Sequence, residues 1–487
     1  MKNIRDRFLG NMSLMLTSTG IRLLLGLATF MIIARNIPIE RFGIYLLIQV
    51  IVGFFVVMSD LGLNFSASKF IVSAEGDEKK NWTKSLLVIK IGITVITIPI
   101  LYAVRPLIYT IFKSELLLRF FPFIIICYLA QSFEFLFNHV LQGFYRYKQI
   151  AFADISIALS RMLLVIVFLI IFKMDIIGAL YAFAFSLLIG CILLFPRGIS
   201  RGQLKTSHFK KIIKFGWPIG IESILGFFSG RIYALIIAGF LGPASLALFE
   251  VASRIPEHLQ RVFGAFRSVF FPQIAELFSK GKSVEIKNLV YHALRVLGLI
   301  VAFFAFLAGM FHKEIITVLF SSQYGHVSQI FFYLMIVSYF YLLGYSLWLV
   351  LLGGGFSFVA MLLHIIQVIV GIGVSLILVP RMGLIGAVYA LLVLHALHLI
   401  MAAGLLEKYK IGIKKTILIK PLFPFIISFG LFLIFKPQQV WAKLIFVIPF
   451  IALSFLFSLI SKEDFSILKK IIFSKLSNLN LRVVDDV

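Results

Sequence analysis

Between Ile219 and Phe271 the chain carries Glu222, Arg231, Glu250, Arg254, Glu257, Arg261 and Arg267 inside otherwise lipid-compatible sequence. Glu250, Arg254, Glu257 and Arg261 follow helical spacing, which puts all four on one face. A charge at the centre of a bilayer costs about 2.5–3.5 kcal/mol on insertion scales, so such groups turn toward a bundle interior or a hydrated cavity. Further charges fall inside apolar stretches: Arg22, Lys90 and Arg161 among the bases, Asp60, Glu134 and Asp154 among the acids. All of these precede residue 270, and the predicted helices beyond it read as uncharged in their interiors. Except for Lys90 the bases are Arg, whose planar fork binds phosphate oxygens in pairs and keeps its charge when dehydrated.

The candidate ligand-binding residues are therefore Arg22, Arg231, Arg254, Arg261 and Arg161. Asp60, Glu222 and Glu250 are candidates for pairing with them, or for carrying a proton or a sodium ion. Asp154 is placed to neutralise Arg161 on the same helix face, and Lys90 and Arg267 to snorkel toward an interface. No nucleophile or paired-carboxylate constellation stands out, so no catalytic residue is assigned. Three further signals are read as structural. Gly281-Lys282-Ser283 lacks the upstream glycine of a phosphate loop, and Asn81-Trp82-Thr83 falls on a predicted cytoplasmic loop. His364, His395 and His398 lack the partners of a metal set.

The elements that position these groups are membrane helices. The chain has 487 residues, 61% of them hydrophobic and 14% charged, with a mean hydropathy of +1.04; soluble domains run nearer 45–50% apolar. About fourteen stretches are long enough to cross some 30 Å of hydrocarbon. Six precede a basic loop at 197–212, six lie between 213 and 405, and a pair falls at 418–436 and 442–460. The reading is an all-α polytopic protein: residues 1–212 a six-helix bundle with its basic linker, 213–410 a second six-helix bundle, 411–487 an extra helix pair and basic tail. Its net charge of +25 gathers at Arg197–Lys214, Lys408–Lys420 and beyond Lys462, all on one predicted side. By the positive-inside rule that side is cytoplasmic and holds both termini, where the charge also meets anionic lipid rather than nucleic acid. Cys127 and Cys191 fall in predicted helices as buried thiols, with no disulfide framework. Pro99, Pro122, Pro218 and Pro256 mark candidate bends.

The two bundles echo one another. Lys173–Ala182 matches Arg381–Ala390 in Met, Ile, Gly, Ala, Tyr and Ala, and Ala34–Tyr45 more weakly matches Ala238–Phe249. An even number of spans per repeat inserts both halves the same way up, related by a pseudo-two-fold axis along the membrane normal.

Three stretches carry a family likeness: Ala34 to Tyr45, the Phe240-Leu241-Gly242-Pro243 turn with Phe249-Glu250-Val251-Ala252, and Phe271-Pro272-Gln273. With the span pattern they resemble the polysaccharide biosynthesis flippases, the lipid-linked oligosaccharide branch of the multidrug, oligosaccharidyl-lipid and polysaccharide exporter superfamily. The first turn departs from the usual Leu-Gly-Pro, reading Ile37-Pro38-Ile39. The resemblance implies that helices one, two, seven and eight line a cationic cavity holding Arg22, Asp60, Arg231 and Arg254. It further implies a flippase, not an enzyme, that moves an undecaprenyl-pyrophosphate-linked oligosaccharide across the bacterial plasma membrane by alternating access. The repeat unit would belong to an O-antigen, capsule or exopolysaccharide. No cofactor is expected beyond proton or sodium coupling; a polysaccharide polymerase and glycosyltransferases are the expected protein partners. A multidrug cation exporter of the same architecture is the alternative, weakened by the excess of intramembrane bases over acids.

Overall fold

The computed structural model describes residues 2–196, 202–409, 411–412 and 414–460, and every described element is helical. The predicted first bundle, 1–212, covers α1 (Lys2–Asn36), α2 (Ile39–Met58), α3 (Leu63–Val72), α4 (Glu78–Ala103), α5 (Arg105–Phe112), α6 (Glu115–Arg119), α7 (Phe121–Gly143), α8 (Tyr147–Val165) and α9 (Asp175–Leu194). The second contains α10 (Thr206–Leu241), α11 (Pro243–Ser279), α12 (Ser283–Phe320), α13 (Ser328–Gly353) and α14 (Ser357–Lys408). After it come α15 (Leu422–Phe435), α16 (Val440–Ile445) and α17 (Val447–Leu456). The tail beyond Lys462, predicted as a basic cytoplasmic segment, lies outside the described residues.

Among the described residues, eleven helices are long and apolar enough to cross a membrane, and shorter apolar helical stretches fall at the end of α11 (Val269–Ser279) and across α16 and α17 (Val440–Leu456). The differences from the predicted segments have physical causes. Helix α11 carries the charged stripe, whose Glu250, Arg254, Glu257 and Arg261 break the apolar run. Helix α14 covers two predicted spans, with a non-helical break at Gly383 (φ 62°, ψ −141°). The predicted second span is interrupted, because Leu61 and Gly62 turn to positive φ between α2 and α3. Pro99 and Pro218 lie inside helices. Pro122 is no bend: it occupies the first turn of α7, where its missing N–H has no partner to lose.

Packing divides the chain into two compact units. One comprises residues 1–265, 313–331 and 364–394, the other 266–312, 332–363 and 395–487. In the first unit the two sequence echoes acquire structural meaning. Asp175 and Gly383 stand at equivalent places in the Lys173 and Arg381 stretches, and both have left-handed φ, 50° and 62°. The Ala34 and Ala238 stretches meet: a Cβ on Gly43 would lie 1.8 Å from the Pro243 carbonyl oxygen. At the same end of α1, Phe30 packs edge-on against Phe320, the Tyr324 hydroxyl donates to the Ala34 carbonyl at 3.1 Å, and Arg35 Nε donates to the Leu319 carbonyl at 3.1 Å.

The basic linker is not a free strap from residue 202 onward. Gln203 N–H donates to Asn81 Oδ1 at 2.6 Å, Lys205 pairs with Glu78 at 2.5 Å, and the His208 ring lies 2.9 Å from Glu78 while stacking on Trp82 at 3.6 Å. Both thiols are free, Cys127 buried and Cys191 only partly so.

Candidate functional site

The charged stripe folds into an ion-paired cluster within the first unit. Arg231 on α10 reaches Glu250 at 3.1 Å and Glu257 at 3.5 Å, both on α11. Arg261 also reaches Glu257, at 3.5 Å, and the Tyr233 hydroxyl donates to Glu257 at 3.0 Å. One helical face thus presents two carboxylates to one guanidinium, as the spacing requires. Buried charge is tolerated when each ion finds a partner.

Arg254 is different. Its guanidinium sits 4.1 Å from the centre of the Phe30 ring, its Nε is buried without an acceptor, and it forms no ion pair among the described residues. A cation over an aromatic face gains about 0.5–2 kcal/mol, and Glu250 and Glu257 act on Arg254 only through the field, without a hydrogen bond. One turn on, both ring nitrogens of His258 are buried with no partner. Sequence reasoning passed over His258; its signal was its place one turn beyond Arg254 on the striped face.

The other predicted residues fall into place as follows. Arg22 pairs with Asp154 at 3.7 Å, its side chain 51% exposed. Asp154 therefore serves Arg22 and not Arg161, which is tied through Nε to the Ser186 hydroxyl at 2.9 Å and lies over the Phe183 ring. Asp60 accepts the Asn64 N–H at 3.3 Å and lies within electrostatic reach of Lys90. Lys90 does not snorkel: it is 1% exposed, with Nζ 3.5 Å from the Ser59 carbonyl where α2 ends. A cation at the negative end of a helix is favourably placed. Glu222 is exposed and interacts electrostatically with His364. Arg267 donates to the Tyr345 hydroxyl at 2.8 Å. The helices after residue 270 are not free of interior charge, since Arg295 is buried in α12. The apolar run around it concealed a single base.

Arg22 and Arg161 meet in a pocket of about 280 Å³ between α1, α7, α8 and α9. Gln49, Gln131, Glu134 and Asp154 complete its polar wall. A second recess, of about 400 Å³, is almost wholly apolar and is lined by residues of α2, α5 and α10 that include Phe54, Leu107 and Phe240.

Eleven described helices long and apolar enough to cross a membrane, with charged side chains buried among them, define a polytopic membrane protein. Residues 8–278 match the model of the polysaccharide biosynthesis protein family, and the chain belongs to that family. It is 24% identical over 389 residues, 77% of this chain and 78% of the relative, to the probable low-salt glycan biosynthesis flippase Agl15 of Haloferax volcanii. The fold is shared with lipid II flippase MurJ in an inward closed conformation (TM-score 0.71, 14% identity, 91% of this chain and 97% of that one). It is shared also with an inward-facing multidrug resistance MATE transporter of the MOP superfamily (TM-score 0.68, 16% identity, 80% and 94%). These relatives are flippases and transporters rather than enzymes.

Proposed function

We propose that the chain is a flippase that carries an undecaprenyl-pyrophosphate-linked oligosaccharide across the bacterial plasma membrane, with the pyrophosphate held at Arg254. The observation that carries this reading is the half-buried Arg254, whose guanidinium makes no salt bridge and whose Nε has no hydrogen-bond acceptor among the described residues, in a chain of the polysaccharide biosynthesis family. A dehydrated phosphate oxygen is the acceptor its Nε lacks. Arg231 and Arg261 share their charge with Glu250 and Glu257 and assist more weakly; Arg22 and Arg161 belong to the pocket between α1, α7, α8 and α9. The apolar recess beside Phe54 and Phe240 suits an isoprenoid chain. Movement proceeds by alternating access of the two six-helix halves, 1–212 and 213–410, with both termini cytoplasmic. Coupling to a proton or sodium ion falls to Asp60, Glu222 or Glu250, and the polymerase and glycosyltransferases of the same glycan act before and after it.

Reconstitution into vesicles with a fluorescent lipid-linked oligosaccharide tests the reading. Movement between leaflets faster than in empty vesicles is the expected result; equal rates reject it. Preference for organic cations over pyrophosphate lipids in the same vesicles would instead assign the multidrug activity.

A further inference from the structure

The pocket between α1, α7, α8 and α9 holds two polar side chains that make no side-chain hydrogen bond among the described residues, although Arg161 and Arg22 lie within electrostatic reach of one of them, Glu134. Glu134 on α7 is 8% exposed, lines the pocket, and has no hydrogen bond or ion pair to its carboxylate among the described residues. Gln131, one turn earlier on the same helix, also lines the pocket and also makes no hydrogen bond among them. A buried carboxylate and a half-buried amide, neither hydrogen-bonded by the protein among the described residues and both facing one cavity, leave their bonding capacity to whatever fills it.

The wall decides which ligand. Two carboxylates, Glu134 and Asp154, face two guanidinium groups, Arg22 and Arg161. The carboxylates oppose a free phosphate and the guanidinium groups oppose a bare metal ion. The volume of about 280 Å³ is many times the roughly 10–15 Å³ that is enough to hold one water molecule, far more than an ion needs. A charge-balanced wall of mixed donors and acceptors suits a neutral molecule that gives and takes hydrogen bonds all round, and a pyranose of about a dozen non-hydrogen atoms has that chemistry and size. The half-exposed Arg22 side chain marks the open side.

We propose that this pocket is a sugar subsite, in which Glu134 and Gln131 hold the hydroxyls of one residue of the transported glycan, separately from pyrophosphate recognition at Arg254. The proposal rests on the flippase reading for the identity of the cargo. Its geometry belongs to the predicted first bundle alone.

Two lipids separate the two claims: undecaprenyl pyrophosphate without sugar, and the lipid-linked glycan extracted from the source cells. Both are titrated against the full-length protein in nanodiscs. Glu134→Gln and Gln131→Ala are each expected to weaken the glycan-bearing lipid about tenfold, the scale of loss when a polar ligand group goes unmatched, and to leave the sugar-free lipid unchanged. Arg254→Ala weakens both lipids. A melting curve of Glu134→Gln matching the parent shows that the fold is kept; should that variant unfold, Gln131→Ala carries the same comparison. Equal losses for the two lipids, or none for either, overturn the subsite alone. Binding of radioactive sodium or inorganic pyrophosphate that vanishes in Glu134→Gln overturns it in favour of an ion site. If neither lipid binds the parent protein, the flippase reading falls and takes the subsite with it.

Discussion

At the residue scale, the interior arginines divide into those that form ion pairs, Arg22, Arg231 and Arg261, and those held among the described residues by hydroxyls or rings, Arg161, Arg254 and Arg267. Arg231 is held between Glu250 and Glu257, so Glu250→Gln removes a buried charge partner. Losing one half of a buried pair is expected to cost about 3 kcal/mol, less whatever Glu257 retains, and a lower melting midpoint in detergent would show it. Arg254→Ala should act in the opposite sense. Its Nε is buried and unsatisfied, so removal relieves a desolvation penalty while abolishing transport, with the melting midpoint unchanged or higher. A large drop in stability for Arg254→Ala would mean that the residue is structural.

At the element scale, the matching Lys173 and Arg381 stretches share a backbone feature, a positive φ at Asp175 and at Gly383. Gly383 has φ 62° and ψ −141°, a region that side chains with a Cβ occupy only under strain. Gly383→Ala is expected to destabilise the protein by about 1–3 kcal/mol, read as a lower melting midpoint. Asp175 tolerates its own positive φ and is held by an ion pair with Arg41. The linker gives a second prediction. With Lys205 and His208 both on Glu78, Glu78→Ala should free the start of α10 and speed trypsin cleavage after Lys205, whereas an unchanged cleavage rate would show that the backbone contact to Asn81 suffices.

At the scale of the whole molecule, charge distribution sets topology. Reporter domains fused to either end should both read as cytoplasmic if the basic clusters orient the chain; an external report from either end would reverse that assignment.

The sequence by itself determined the helical membrane class, the family and the identity of the charged face on α11, because apolar length, helical spacing and motif likeness are local properties. Tertiary structure alone decided which charges cancel. Asp154 meets Arg22 rather than the Arg161 of its own helix, Lys90 turns inward to the end of α2, and Arg254 finds a ring where a carboxylate was equally available on paper. Glu134 was legible as an intramembrane acid but not as an unpartnered one. Partnership depends on distances of a few ångströms between helices far apart in the chain, and spacing along one helix carries no information about them.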